Sequence, residues 1–435
     1  PNKICNKMIS TIPDSDIINV VNSGSNILDI ASKEGEFIIA MYSKLKQLNL
    51  NEELINNCLY SIPTSKIAYE FTRKIYGILN LNVENIATNF TSYDLLNIKE
   101  NNNLDLNKIK NYILQNKKMS EIMLEDNLLY AEGDGKMKFD IVVGNPPYQE
   151  ADGGAQASAK PIYQHFVSIA NQLSSRFTSL IIPTRWFVGG KGLDEFRNEM
   201  LNDFHIKELH DCLTPDSIFP NTNIRGGVCY FLRDLEYNNI DNLVSVVTYE
   251  NNNIINDIKR PMKFKNKEFF IRDGAAFTII EKVINCNFSS IADYISSLRP
   301  FGLRGYFSKT ENYKNSHENM KKPVVCYAKG RQRGYVEEEN IISHLEWINK
   351  WKVFIPRANN IGTELNDDNL NSFIGTPNQI CTESYLVVGA DLELNENSAK
   401  NLEKYMKTKF VRYLHSLLKS SQDATSKTFE YVPIQ

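Results

Sequence analysis

The residues of this sequence with the clearest chemical potential are Asn145-Pro146-Pro147-Tyr148, which directly follow the apolar run 139–144. Two consecutive prolines fix two φ angles and supply no N–H donors, so the asparagine oxygen and the proline carbonyls are acceptors in a preset geometry. Such oxygens can accept hydrogen bonds from both N–H groups of a planar amine, while the ring of Tyr148 stacks on the face of that group. A Pro-Pro turn can also simply end a strand. The apolar strand predicted before it and the aromatic ring beside it favour a functional site.

Strand-like and helix-like periods alternate around this motif. They predict a doubly wound α/β sheet whose ligands lie at the carboxyl ends of the strands. The predicted strands are 26–30, 58–62, 86–90, 139–144, 179–182, 206–210, 227–232 and 243–249. The predicted helices are 3–13, 37–45, 65–76, 163–173 and 193–200. The Asn- and Lys-rich stretch 97–134 interrupts the alternation and is predicted to be a surface insertion.

The length of 435 residues predicts two domains. The alternation is lost beyond residue 290, where helices are expected around 339–349 and 398–418. We therefore assign residues 1–235 to the sheet domain, 236–290 to a connecting region and 291–435 to a second domain.

Composition argues against several classes of protein. The formal net charge of −3 disfavours a globally basic nucleic-acid binder, although a local basic face is enough to bind DNA. The seven cysteines are scattered without zinc-ligand spacing, which is typical of buried thiols in a reducing cytoplasm. No apolar stretch approaches the roughly 20 residues of a membrane span, and no signal peptide is visible. We therefore expect a cytoplasmic protein that contacts no membrane.

The motif and the residues after it resemble the Eco57I-like adenine-N6 DNA methyltransferases of restriction–modification systems. Further stretches that carry this resemblance are 161–166, 182–187, 218–222, 225–228, 300–304, 381–385 and 407–435. The resemblance implies a Rossmann-like, S-adenosylmethionine-dependent methyltransferase sheet in 1–235. It also implies that 291–435 is a smaller mixed α/β domain that recognises the target in double-stranded DNA.

A cofactor site is implied by the same resemblance, with the methionine part of S-adenosylmethionine at the first strand and its adenine at the third. The residues implied to bind the cofactor are Pro1, Asp29, Ala31, Gly35, Phe37, Asn89, Phe90 and Asn145. Asp94 is a competing candidate for the adenine contact. The sequence departs from the family in two places: 32–35 replaces the usual Gly-x-Gly, and 62–64 offers no acid for the ribose hydroxyls.

The resemblance gives the catalytic role to 145–148. An amine inside a duplex is unreachable, so the target base must be flipped out of the stack. Asn145 Oδ1 and the Pro146 carbonyl would accept the hydrogens of the amine, Pro147 would stiffen the turn, and Tyr148 would stack on the purine. Trp186 and Phe187 could wall the base pocket or pack in the core, and the loop around 153–156 could cover the base or be a plain linker. No metal is expected.

A basic, aromatic segment at 299–333 is the candidate DNA-binding surface. It carries nine Lys or Arg residues against two acids, and aromatic rings are interleaved with the cations, which suits phosphate and base contacts. A solvated basic face is the alternative. The residues that we expect to contact DNA are Arg299, Arg304, Lys309, Lys329, Arg331 and Arg333.

Three other functions remain open from the sequence. The same acceptors would suit methylation of a protein glutamine amide, or of cytosine N4. The atypical cofactor turn also allows a non-catalytic DNA-recognition module of a restriction enzyme. We further expect a chain that is truncated at both ends, with a nuclease or helicase portion in the same protein or in a companion.

Overall fold

An eight-stranded sheet forms the centre of the first part of the chain. The computed structural model describes residues 2–124, 137–150, 160–187, 192–220, 224, 226–237, 243–263, 269–286, 288–361, 369–419 and 422–434. The chain divides into two compact units, Pro1–Phe270 and Ile271–Gln435. The division falls inside the stretch 236–290 that the sequence assigns to a connecting region.

The strands of the first unit are β1 (Asn26–Ser32), β2 (Leu59–Pro63), β3 (Lys99–Glu100), β4 (Asn103–Leu104), β5 (Phe139–Gly144), β6 (Ser174–Pro183), β7 (Ile206–Cys212), β8 (Val228–Asp234), β9 (Leu243–Glu250) and β10 (Asn253–Pro261). Its helices are α1 (Asn2–Ile9), α2 (Asp14–Asn22), α3 (Glu36–Gln47), α4 (Glu52–Cys58), α5 (Lys66–Ile78), α6 (Leu106–Leu114), α7 (Tyr163–Leu173) and α8 (Asp194–Asn202). The sheet has the order β10-β9-β7-β8-β6-β5-β1-β2, and β3 and β4 form a separate hairpin.

The sheet contains both parallel and antiparallel pairs of strands. β1 runs parallel to β2 and β5, and β5 runs parallel to β6. β8 is antiparallel to both of its neighbours, β6 and β7, while β9 is parallel to β7 and β10 antiparallel to β9. The predicted doubly wound α/β sheet is confirmed, with one reversed strand inside it.

Helices cover both faces of this sheet, because its strands are apolar on both sides. Ile27 and Val143 point to the face where α1, α2 and α3 bury Met8, Ile17 and Met41. Their strand neighbours Leu28 and Val142 point to the other face, which is covered by α6, α7 and α8. This two-sided burial keeps water away from both faces of the sheet. Polar residues are therefore expected mainly at the ends of the strands.

The third predicted strand, 86–90, is wrong. Only Ile86 pairs there, through an isolated parallel bridge to Ser61. The polar residues on either side make side-chain bonds instead: Asn85 Nδ2 donates to Leu59 O at 3.1 Å, and Asn89 Nδ2 donates to Ser120 O at 3.0 Å. Such local side-chain bonds compete with strand pairing.

The predicted surface insertion, 97–134, fits the hairpin β3–β4, whose residues are mostly exposed, but it is wrong for α6 and the described residues after it. Ile109 and Ile113 of α6 are fully buried, as are Met119 and Ile122 after it. These apolar residues recur at helical spacing among many Asn and Lys, so the average polarity of the segment conceals a buried stripe. The predicted helix 3–13 ends at Ile9, and a second helix, α2, begins after Pro13.

The second unit is a smaller mixed α/β structure. Its strands are β11 (Pro323–Ala328), β12 (Gln332–Glu337), β13 (Lys352–Pro356), β14 (Phe373–Gly375), β15 (Gln379–Cys381) and β16 (Tyr385–Val388). Its helices are α9 (Gly274–Asn285), α10 (Glu396–Met406) and α11 (Lys409–Leu417). The strands form two three-stranded sheets, β12-β11-β15 and β14-β13-β16.

Two helix predictions in this unit are corrected. The stretch 339–349 forms only short 3-10 turns, because His344 has a left-handed φ of 53° that an α-helix cannot contain. The predicted helix 398–418 is two helices, since Thr408 leaves the helical conformation and caps α11 by accepting a hydrogen bond from Val411 N. Among the described residues, no helix has the length and apolarity to cross a membrane.

We predict that Gly334→Ala destabilises the second unit. A Cβ there would lie 2.3 Å from Cε1 of Tyr313, and this ring cannot move freely, because its hydroxyl donates to Cys326 O at 3.1 Å and to Gln332 O at 3.0 Å. The clash should lower the free energy of unfolding by about 1–3 kcal/mol, as measured in urea. Gly77→Ala is the control, because a Cβ there meets nothing within 4 Å and Gly77 lies within α5; it should raise stability by about 0.5–1 kcal/mol. Equal urea midpoints for Gly334→Ala and the unmodified chain would contradict the prediction.

Candidate active site

Asn145 lies at the carboxyl end of β5, directly after Gly144. Its Oδ1 atom is buried and has no hydrogen-bond partner in the described part of the chain. A buried acceptor without a donor is destabilising, by about 1–3 kcal/mol. Such groups are rare in folded proteins and call for an explanation such as a bound ligand. This atom is therefore the strongest indication of a ligand at the motif.

The turn that carries Asn145 is held on its far side by backbone pairing. Pro146 and Pro147 are buried. Beyond them, Ile162 N donates to Tyr148 O at 3.2 Å, and Glu150 N donates to Lys160 O at 3.0 Å. The turn is thus fixed by β5 before it and by residues 160–162 after it.

Tyr148 is half-buried, and its hydroxyl is covered and has no hydrogen-bond partner among the described residues. Its ring packs edge-on against Phe219 with 6.5 Å between the centroids. Burial raises the pKa of Tyr148 above its ordinary value, so the phenol stays neutral. The side chain is an aromatic group at the motif and does not act as a phenolate.

Asp29 of β1 lies beside the motif strand. The register pairs Asp29 with Val143, and a Cβ added to Gly144 would be 3.5 Å from Asp29 Oδ1. The structure thus brings together the first strand and the motif, as expected for parallel strands that end at one edge of a sheet. Gly144 is a residue that the sequence analysis missed, and its signal is a glycine immediately before the motif.

The carboxyl group of Asp29 is fully buried, and this burial raises its pKa from 3.8 to about 7. The negative charge of Glu36 adds to the rise. The hydrogen bond from Ala31 N, 3.2 Å from Oδ1, opposes it. The group therefore changes charge near neutral pH and binds a cation most strongly when it is ionised.

The turn after β1 is shaped by Gly35, which has a left-handed φ of 74° and precedes α3. A Cβ at this position would approach Cγ1 of Ile75 to 3.3 Å, so both the backbone and the space favour glycine. Asp29, Ala31 and Gly35 belong to one strand and its turn. Phe37, by contrast, is a residue of α3 that packs in the core.

The residues predicted to contact adenine differ in their burial and in their hydrogen bonds within the protein. Asn89 is exposed, and its Nδ2 donates to the carbonyls of Ser120 and Ile122. Phe90 is buried in the core. Asp94 accepts hydrogen bonds from the backbone and the hydroxyl of Thr91, at 2.7 and 2.8 Å. Pro1 and the loop 153–156 lie outside the described residues.

Trp186 and Phe187 are fully buried in an aromatic cluster. Trp186 packs edge-on against Phe187 at 4.8 Å and Phe196 at 5.9 Å, and Phe187 lies 4.4 Å from Phe270. This arrangement favours core packing over a pocket wall. Within the described ranges, no cluster of His, Cys, Asp and Glu side chains could hold a metal ion.

The six cations predicted to contact DNA all lie in the second unit. Arg304, Lys309, Lys329, Arg331 and Arg333 are exposed. Arg299 is exposed as well, and its Nε donates to Glu383 Oε2 at 3.0 Å. Arg331 and Arg333 lie over the rings of Phe373 and Tyr335, at 4.7 and 5.7 Å from their centroids.

We predict that Asp29→Asn stabilises the first unit in a pH-dependent way. The folded pKa of about 7 lies above the ordinary value of 3.8, so the folded state binds more protons than the unfolded state between these values. Wild-type stability therefore falls as pH rises through this window, and the variant should gain relative to it up to about pH 7 and level off above. Urea unfolding at several pH values measures this difference. A constant difference from pH 4 to 8 would contradict the assignment.

Comparison with known proteins finds a family whose model covers the motif. Residues 57–219 match the model of a family described as Eco57I restriction-modification methylase. An uncharacterized adenine-specific methylase of Mycoplasma pneumoniae is 35% identical over 106 residues, which make up 24% of this chain and 25% of that protein. The matched region thus spans about a quarter of the curated relative's length.

Solved structures of low sequence identity are also similar. The DrdV–DNA complex is 10% identical with a TM-score of 0.49, over 89% of this chain and 48% of that one. The type IIL restriction–modification enzyme MmeI in complex with DNA is 9% identical with a TM-score of 0.48, over 99% of this chain and 65% of that one. The resemblance seen in the sequence is confirmed over residues 57–219, which contain 145–148 and are similar to the Eco57I restriction-modification methylases.

Proposed function

We propose that this protein is a site-specific DNA methyltransferase that transfers a methyl group to adenine N6 within a restriction–modification system. The observation that carries the proposal is the buried Oδ1 of Asn145, an acceptor without a donor among the described residues, at the end of β5. The match of 57–219 to a methylase family and the adenine-specific name of the curated relative support the same reaction.

A methylase requires a methyl donor, and we propose S-adenosylmethionine. When bound, this cofactor supplies a methyl group on a sulfonium, a strong electrophile. The donor set fits it: the carboxylate of Asp29 would hold the ammonium of the methionine part, and the left-handed turn at Gly35 lets the backbone approach. Ala31 lies between them, and Asn145 borders the same edge through the neighbouring strand β5.

The chain's own contribution to the reaction is positioning and acceptance of hydrogen bonds. Asn145 Oδ1 and the Pro146 carbonyl would each accept a hydrogen bond from the adenine amine. These two bonds would direct the lone pair of the amine toward the methyl group. The prolines keep these acceptors from relaxing, and Tyr148 would stack on the flipped base. Orientation of this kind lowers the barrier mainly by removing translational and rotational freedom before the reaction.

The second unit is proposed to recognise double-stranded DNA through exposed cations on its surface, namely Arg299, Arg304, Lys309, Lys329, Arg331 and Arg333. A nuclease or helicase portion, in the same protein or in a companion, is the expected partner. No disulfide joins any of the seven cysteines, which fits a cytoplasmic location.

The test is methyl transfer to DNA by Asn145→Ala. The full chain and the variant are incubated with tritiated S-adenosylmethionine and unmethylated genomic DNA, and the DNA is digested to nucleosides. Label should appear in N6-methyladenosine and fall by at least about 100-fold in the variant, the scale seen when one preorganised polar group is removed from an active site. Asn198→Ala, an exposed asparagine on α8, is the matched control and should keep full activity.

The other outcomes separate the competing functions. Label in N4-methylcytosine would change the target base and keep the site. Label in protein glutamine would favour an amide target. Absence of label, with DNA still bound, would identify a recognition module without catalysis.

Binding of S-adenosylmethionine should depend on pH through Asp29. Because the pKa of Asp29 is about 7, its carboxylate must lose a proton before it can pair with an ammonium. We expect the Kd to fall about tenfold per pH unit as pH rises from 5 toward 7, as measured by calorimetry. Asp29→Asn should bind weakly with no such slope. A steep slope that persists in Asp29→Asn would assign the proton to another group.

A further inference from the structure

A cleft of about 640 Å³ lies within the second unit. Its charged lining residues are Lys329, Arg331, Arg357, Glu383 and Asp423, and Tyr385 also lines it. This volume is in the usual range for ligand sites. Lys329 and Arg331 belong to the basic segment 299–333, whereas Arg357 and Asp423 lie outside it.

Arg357 is the best-fixed cation of this cleft. It directly follows β13, its backbone N donates to Ser384 O at 2.9 Å, and its carbonyl accepts from Ala424 N at 2.6 Å. Its Nη2 donates to Asp423 Oδ2 at 2.8 Å. A guanidinium has five N–H donors, so this one bond orients the group and leaves donors for a ligand. Its Nε is covered and has no hydrogen-bond partner in the described ranges.

Arg331 is also held in one orientation. It has a left-handed φ of 61°, which is unfavourable for an L-residue and persists only where neighbours enforce it. Its backbone N donates to the hydroxyl of Tyr385 at 2.8 Å, its Nη2 donates to Asn371 O at 3.0 Å, and its guanidinium stacks on Phe373. Two preorganised guanidinium groups thus line the same cleft.

Acceptors in the cleft distinguish it from a phosphate site. Glu383 accepts from Gly305 N at 2.8 Å, and this bond, with Arg299 and Arg357 nearby, lowers the pKa of its carboxyl. The group therefore stays ionised, as an acceptor only. Two carboxylates in the lining would repel a phosphate, whereas a mixture of fixed donors and acceptors complements the edge of a base.

We propose that this cleft reads base edges of the recognised DNA sequence and that Arg357, oriented by Asp423, contacts a guanine. Arginine with two parallel N–H groups matches O6 and N7 of guanine in the major groove, which is the commonest specific contact to a base. The inference rests on the proposed role of the second unit in DNA recognition. Arg304, Lys309 and Arg333, exposed outside the cleft lining, are then phosphate contacts that add affinity without sequence preference.

The experiment is selection from a library of randomised duplexes by the full chain, followed by sequencing of the retained DNA. The unmodified protein should enrich a motif with at least one guanine. Arg357→Gln should lose roughly 10- to 100-fold of the preference for guanine at one position and shift it toward adenine, because glutamine pairs with adenine. Preferences at the other positions should remain.

Two further variants separate base reading from a structural role. Asp423→Asn should weaken the preference at the same position, since Asp423 orients Arg357. Arg333→Gln is the comparison for phosphate contacts: it should weaken binding to all sequences alike and leave the motif unchanged. If Arg357→Gln does not fold, Arg357→Lys, which keeps the charge but lacks the planar pair of donors, takes its place.

The outcomes are distinct. A motif that Arg357→Gln leaves unchanged, or weakens equally at every position, would overturn the role of Arg357 while DNA recognition stands. A motif without guanine would do the same. Failure of the unmodified chain to enrich any sequence would overturn the proposed DNA recognition itself, and this inference with it.

Discussion

The close approach of β1 and β5 at Gly144 is the constraint on which the candidate site depends. A Cβ at this position would lie 3.0 Å from Cγ2 of Ile30 and 3.5 Å from Oδ1 of Asp29, so a side chain there would push the two strands apart. Helices on both faces bury these strands, and the same burial raises the pKa of Asp29 and covers the Asn145 oxygen. The fold thus sets both the positions and the charge states of the polar groups at this edge.

Much of this frame is predictable from local sequence. α7 has the predicted bounds, and the buried strands β1, β2 and β5 lie within about two residues of prediction, because continuous apolar runs bounded by polar turns have few other solutions. The position of 145–148 at a strand's carboxyl end follows from the same reasoning. The failures occur where individual residues override the pattern. Asn85 and Asn89 make side-chain bonds in the segment predicted as a third strand, and the left-handed φ of His344 interrupts a helical period.

The rest of the site depends on contacts between residues distant in sequence, which local patterns do not contain. The charge excess at 299–333 does not reveal that Arg299 is paired with Glu383, or that Arg357 is paired with Asp423, 66 residues further along the chain. In the same way, the identity of Gly144 is visible in the sequence, but the closeness of the Asp29 carboxylate is not. Sequence therefore predicts the kinds of groups at the site, and the tertiary structure determines which of them are committed to internal partners.

The reversed strand β8 has a consequence for biosynthesis. It separates β6 from β7 in the sheet although it follows both in the chain. A growing polypeptide therefore exposes the unpaired backbone edge of β6 until residue 234 has left the ribosome. Unpaired edges of apolar strands attract other chains, and pairings over such separations form slowly. The period between synthesis of β6 and of β8 is thus an interval in which the nascent chain is exposed to misassembly.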